Sequence, residues 1–123
     1  MADVPEVLTR SDPPPRIIQE FVPGRQVTLA HLIANPDDQL YPKVGLEASQ
    51  GSIGVITITP GEAAIIAADV ATKASGITLG FVDRFSGAVV IQGTYGDVES
   101  ALRDVVATMQ ATLHFTPAPI TKT

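Results

Sequence analysis

The sequence predicts an α+β domain in which one antiparallel sheet is covered by two helices, and three observations predict it. Four short runs, 27–34, 52–59, 77–83 and 88–93, have the alternating or β-branched apolar pattern of strands. Two longer segments, after Thr59 and after Asp97, read as helices. The chain is 123 residues long with 45% apolar and 17% charged residues, the balance of a single globular domain with one core.

Residues 1–16 end in Pro13, Pro14 and Pro15, which remove backbone donors and favour extended chain, so they read as a flexible arm. Ile17-Ile18-Gln19-Glu20-Phe21-Val22 then reads as an isolated strand closed by the turn signal Pro23-Gly24. In VTLAHLIA (27–34) strict alternation sets Val27, Leu29, His31 and Ile33 on one face and Thr28, Ala30, Leu32 and Ala34 on the other, so both faces should be covered. Asn35-Pro36-Asp37-Asp38 offers a cap, a first-turn proline and two acids for a short helix that Pro42 limits. SIGVITIT (52–59) is a strand. Thr59-Pro60-Gly61-Glu62 reads as a capping box with proline at the first helical position, and the helix should end near Gly76. Its Ala63, Ala67, Val70, Ala71 and Ala74 form a small-residue face. ITLGFVD and AVVIQG make a hairpin through Arg84-Phe85-Ser86-Gly87. Val98, Ala101, Leu102, Val105 and Met109 recur at spacings of three and four, which gives a second helix to about Thr112. The closing LHFTPAPITKT reads as a proline-broken edge or tail.

Moving strand 27–34 from the front of this order to the back completes the split β-α-β-β-α-β pattern. The expected architecture is therefore a circularly permuted ferredoxin-like domain: a four-stranded antiparallel sheet with two helices on one face. The boundaries are arm 1–16, strand and turn 17–26, and domain 27–123. The strand at 17–22 has no place in that domain, and its backbone groups need partners that copies of the same chain could supply.

Signals for chemistry are sparse. With no cysteine, a disulfide framework, a thiolate metal site and a cysteine nucleophile are excluded, and a reducing compartment is expected. No phosphate loop, dinucleotide turn or nucleophile elbow occurs. His31 and His114 lack companions at ligand spacing and read as structural histidines, His31 inward in its strand. Asp83, Arg84 and Ser86 could be arranged as acid, electrophile and nucleophile, but turn chemistry with an ion pair explains them. Glu62 and Asp69 share a helix face, yet Glu62 is absorbed by the capping box. No catalytic, cofactor or metal residue is assigned. The longest apolar run is Ala63–Ala68, too short to span a bilayer. The net charge of -5 with scattered basic residues leaves no footprint for nucleic acid.

The stretches RIIQEFVPGRQVTLAHLIANP and SIGVITITPGEAAIIAADVATKASGITLGFVDRFSGAVV, with the closing ITKT, resemble the circularly permuted shell proteins of bacterial microcompartments, as found in ethanolamine- and propanediol-utilisation organelles. The resemblance covers residues 16–123. It implies a homohexameric tile in the bacterial cytoplasm that packs with other shell proteins around encapsulated enzymes, without catalysis or cofactor. It implies that Ile17, Ile18, Gln19, Glu20, Phe21 and Val22 contribute one strand to a six-stranded intersubunit barrel over the hexamer centre. It implies too that the loop Arg84, Phe85, Ser86, Gly87 faces the sixfold axis. Lys73 corresponds to the lysine at which hexamers meet edge to edge, with Asn35 and Pro36 on the other side of that edge. Relatives often carry a cysteine before the final strand. Here Pro117-Ala118-Pro119 stands in its place, so no redox or metal role is carried over. Docking of an encapsulated enzyme's tail into the barrel is a further role. The alternative reading is a ferredoxin-like oligomer that binds a small effector as a regulatory module.

Overall fold

The computed structural model describes residues 21–47, 49–74 and 76–123. In chain order the elements are β1 (Gln26–Ile33), α1 (Leu40–Lys43), β2 (Ser52–Thr59), α2 (Ala63–Lys73), β3 (Thr78–Asp83), β4 (Ala88–Gly93), α3 (Tyr95–Leu113) and β5 (Ile120–Lys122). One sheet holds all five strands in the order β3-β4-β2-β1-β5.

The expected four-stranded antiparallel sheet is thus corrected to a five-stranded mixed one. β1–β2, β2–β4 and β4–β3 pair antiparallel, and the closing ITKT adds a parallel strand on the open side of β1, with Ala30 opposite Ile120. The reason is backbone accounting. Pro117 and Pro119 cannot donate, but past them Thr123 N donates to Leu32 O at 2.9 Å and Ala34 N donates to Thr123 O at 2.8 Å.

Both sheet faces are covered. On one, Val27, Leu32, Ile56, Ile58, Val89 and Ile91 form a core with the alanines of α2 and with Val98, Leu102, Val105 and Met109 of α3. The small-residue stripe Ala63, Ala64, Ala67, Ala68 and Ala71 is buried there, which lets α2 lie close to its neighbours. On the opposite face Ile53 and Val90 pack with Tyr41 and Leu46 from the α1 region.

Four local expectations are corrected. In β1 the pairing skips from Val27 opposite Ile58 to Leu29 opposite Thr57. This bulge at Thr28 reverses the phase, so Val27, Ala30 and Leu32 are buried while His31 is only half-buried. The short helix starts at Leu40 and not at Asn35; Asp37 instead caps a turn by accepting from Gln39 N at 2.9 Å. α2 starts at Ala63, and its N-cap residue Glu62 makes no side-chain capping bond, so no capping box forms. The residues before it belong to a turn fixed by a neighbouring loop, described below. α3 starts two residues earlier than expected, because the Thr94 hydroxyl accepts from Asp97 N at 3.2 Å and caps it.

Candidate functional site

Strand register alone gives the sheet two distinct ends. Gln26 lies opposite Thr59 and Thr57 opposite Ala88, so the start of β1, the end of β2 and the β3–β4 loop share one end. Ile33 lies opposite Ile53 and Ser52 opposite Gly93, which places Asn35 and Pro36 beyond the other end. α2 returns from the end of β2 to the start of β3, so Lys73 in its last turn lies toward that far end too.

At the near end the loop Arg84-Phe85-Ser86-Gly87 is held from within. Asp83 accepts from Phe85 N at 2.9 Å and from the Ser86 hydroxyl at 2.8 Å, and Gly87 N donates to Asp83 O at 2.8 Å. Those donors, Ser86 first and then Phe85 N, hold the Asp83 carboxyl below the ordinary aspartate pKa. The expected turn chemistry is present, but the expected ion pair is corrected: Asp83 is occupied by Ser86 and the Phe85 amide, and the Arg84 guanidinium lies over the Phe85 ring at 5.0 Å. Phe85 itself is 87% exposed.

Two glycines dock this loop on β2. Gly87 adopts φ +78°, and a Cβ there would meet Ile58 O at 2.0 Å; a Cβ on Gly61 would meet Arg84 O at 2.1 Å. This contact explains why Pro60-Gly61-Glu62 forms a turn and not the first turn of α2. Sequence reasoning missed Gly61, since its partner is set by the fold.

Residues leading into β1 are fastened at the same end. Val22 N donates to His114 O at 2.9 Å, Thr116 N to Arg25 O at 3.0 Å, and Val27 N to Thr116 O at 2.9 Å. Arg25 donates to Leu113 O at 3.2 Å and lies over the Phe115 ring at 5.9 Å. Arg25 and Thr116 were not singled out from the sequence, because 91 positions of chain separate them and only the fold, through the parallel bridge Gln26–Thr116, brings them together. Of the strand expected at 17–22, Phe21 is exposed and Val22 half-buried, whereas Ile17, Ile18, Gln19 and Glu20 lie outside the described residues.

At the far end Lys73 is ion-paired with Asp69 at 2.9 Å and its side chain is 74% exposed. Asn35 is exposed and Pro36 partly so.

The remaining candidates occupy structural positions. His31 bonds Thr121 Oγ1 through Nδ1 at 2.6 Å and Thr123 Oγ1 through Nε2 at 2.8 Å, so its partners are on β5 and its expected inward placement is corrected by the bulge. His114 takes the left-handed conformation that ends α3. Among the described residues no group of three His, Cys, Asp or Glu side chains could hold a metal ion, and no helix is long and apolar enough to cross a membrane. A cleft of about 760 Å³ opens beside β3, lined by five glycines with Thr78, Thr94 and Gln92 among others. Its one charged lining residue is Glu47, the wrong sign for an anionic effector.

A BMC domain model matches residues 52–119, more than half of the chain. The microcompartment shell protein PduU of Salmonella typhimurium is 54% identical over 108 residues, which cover 88% of this chain and 93% of PduU. The chain belongs to the bacterial microcompartment shell proteins. EutS of the same organism, also a microcompartment shell protein, is 56% identical over 107 residues, or 87% of this chain and 96% of EutS. Among solved shell proteins, a flat CutR hexamer superposes with TM-score 0.79 at 47% identity, covering 88% of this chain and 98% of that one. A CutR screw with a 41.9 Å pitch superposes with TM-score 0.78 at 44% identity, over 82% of this chain and 100% of that one. The structural role is that of these shell proteins, and the sequence reading of the family agrees with the comparisons.

Proposed function

We infer that six copies of this chain close into a flat structural tile of a microcompartment shell, with the β3–β4 loop at the sixfold axis and Lys73, Asn35 and Pro36 at the rim. The observation that carries the reading is the polarity of the sheet. Axis candidates gather at one end and rim candidates at the other, separated by the length of β2, which at eight residues is about 26 Å. In such a ring each loop side chain is repeated six times, so the exposed Phe85 narrows the centre with apolar rings.

The permutation is supported by topology and by the family match. β1 occupies the sheet position that a last strand fills in the split β-α-β-β-α-β order, and the matched residues begin at β2, leaving β1 outside. The intersubunit barrel is supported by the fastening of Val22 and Arg25 at the axis end, which delivers the preceding strand toward the centre. A barrel closes the unpaired edges of such strands. No catalysis or cofactor is part of this reading. Partner shell proteins meet the rim, and the barrel offers a seat to the tail of an encapsulated enzyme.

Light scattering at several concentrations should give six subunits, and electron microscopy should show hexagonally packed layers. Lys73→Ala should reduce layer formation and leave six-membered rings. A smaller closed oligomer refutes the tile; an open filament from the wild-type chain refutes the flat ring, since the same kind of head-to-tail interface gives a screw when rotation does not close. Loss of the ring in Lys73→Ala refutes the rim assignment.

A further inference from the structure

We propose that the Arg84 guanidiniums of the ring converge on its axis as a binding site for one multivalent oxyanion, a small molecule carrying several phosphate or carboxylate groups. The inference rests on the sixfold tile proposed above and names what its centre takes.

Among the described residues Arg84 is a cation without an anion. Arg25 donates to Leu113 O, Lys73 pairs with Asp69, and Arg103 and Lys122 share Glu99. The Arg84 side chain is exposed, enters no ion pair, and has the Phe85 ring, 5.0 Å away, as its partner. The adjacent acid does not answer it. Asp83 is occupied by the Ser86 hydroxyl and the Phe85 amide, and those bonds hold its carboxyl low without help from Arg84.

The guanidinium is also preorganised. The loop backbone is pinned: Gly87 N donates to Asp83 O at 2.8 Å, and Arg84 O packs so closely on Gly61 that a Cβ there would lie 2.1 Å away. Stacking on an aromatic ring uses the face of a guanidinium and leaves its in-plane N–H donors free. Part of the side-chain order that binding would otherwise have to create is therefore in place before a ligand arrives.

Symmetry turns one free fork into six. Each fork matches two oxygens of a carboxylate or phosphate group. Around one axis the six repel one another, and the exposed Phe85 rings beside them displace the water that would screen the charge. A chloride ion or a single carboxylate engages one fork. An anion with several oxyanion groups spans several forks, so its second and later contacts are intramolecular. The chain's net charge of -5 repels such an anion from the rest of the surface, which confines it to the axis. Lys43, exposed in the last turn of α1, follows the end of β1 that is far from the loop, so it takes no part.

Light scattering of the full-length chain comes first: anything other than six subunits overturns the tile itself, before any anion is added. In rings of six, calorimetric titration with inorganic tripolyphosphate and with benzenehexacarboxylate should give one anion per six chains. The probe bound more tightly identifies the phosphate or the carboxylate class. Raising the salt from low to physiological strength should weaken binding by about tenfold or more. Arg84→Gln should abolish binding and leave rings of six, Arg84→Lys, which keeps the charge and loses the fork, should weaken it about tenfold, and Lys43→Gln should leave it unchanged. Rings of six that take up neither anion, a ratio near one anion per chain, an affinity indifferent to salt, or equal losses in Lys43→Gln and Arg84→Gln overturn the site. If Arg84→Gln forms no ring, Arg84→Lys decides, and unchanged affinity there overturns the site.

Discussion

Gly87→Ala tests whether the β3–β4 loop is held by backbone docking on β2. At φ +78° a side chain costs about 1–2 kcal/mol for the left-handed conformation. The new Cβ would also lie 2.0 Å from Ile58 O, well inside ordinary contact, so the loop must lift from β2. Lifting endangers the bond from Ile58 N to Gly87 O at 2.9 Å, a net loss of about 1 kcal/mol. The sum is about 2–3 kcal/mol, which for a chain of this size lowers Tm by roughly 6–15 °C. The assay is thermal unfolding followed by circular dichroism at one fixed protomer concentration, because association adds to apparent stability. Gly96→Ala is the control of opposite sign. A Cβ at Gly96 meets nothing within 4 Å inside α3, so alanine should stabilise by up to about 1 kcal/mol. A Gly87→Ala chain melting within about 2 °C of wild type would sink the docking argument.

Other outcomes follow from the same contacts. Leu102→Ala, fully buried between α3 and the sheet, should cost about 3–5 kcal/mol in urea unfolding; less than about 1 would mean that the core is not packed there. Ser86→Ala should raise the Asp83 pKa toward its ordinary value, read by carboxyl carbon shifts across an acid titration. Because the folded pKa is depressed, the Asp83 bonds stabilise the loop above the ordinary aspartate pKa, and that contribution fades as pH falls through the folded value; an unmoved titration would refute the bond to Ser86. His31→Leu removes both hydroxyl partners' ring bonds, so the Thr123 and Ala34 amides should exchange faster with deuterium while those of β2 keep their rates. Equal protection in all three would show that the ring does not hold β5.

The parts legible in sequence are those where local preference and tertiary packing agree. SIGVITIT and AVVIQG match β2 and β4 residue for residue, because alternation, β-branching and flanking turns all point one way. The apolar spacing from Val98 to Met109 likewise gave the buried stripe of α3. Where the two disagree, pattern reading failed. One extra residue at Thr28 inverts the phase of β1, and nothing within the strand signals it. The Thr59–Glu62 box is sound local chemistry overridden by the packing of Gly61 against Arg84 O. β5 is three residues whose pairing depends on an open edge some ninety positions earlier in the chain. For the site, the loop Arg84–Gly87 was legible as a motif, whereas the Arg25–Thr116 stitch needed the fold.

The parallel seating of β5 also bears on fusion design. Thr123 is bonded on both sides of its peptide unit, to Leu32 and Ala34, so an appended peptide would depart alongside Asn35 at the sheet's far end, pointing away from Phe85. In the tile proposed above, that end is the rim, so cargo attached there would be directed to the seams between neighbouring plates, and a short, charged spacer would keep it from wedging them apart.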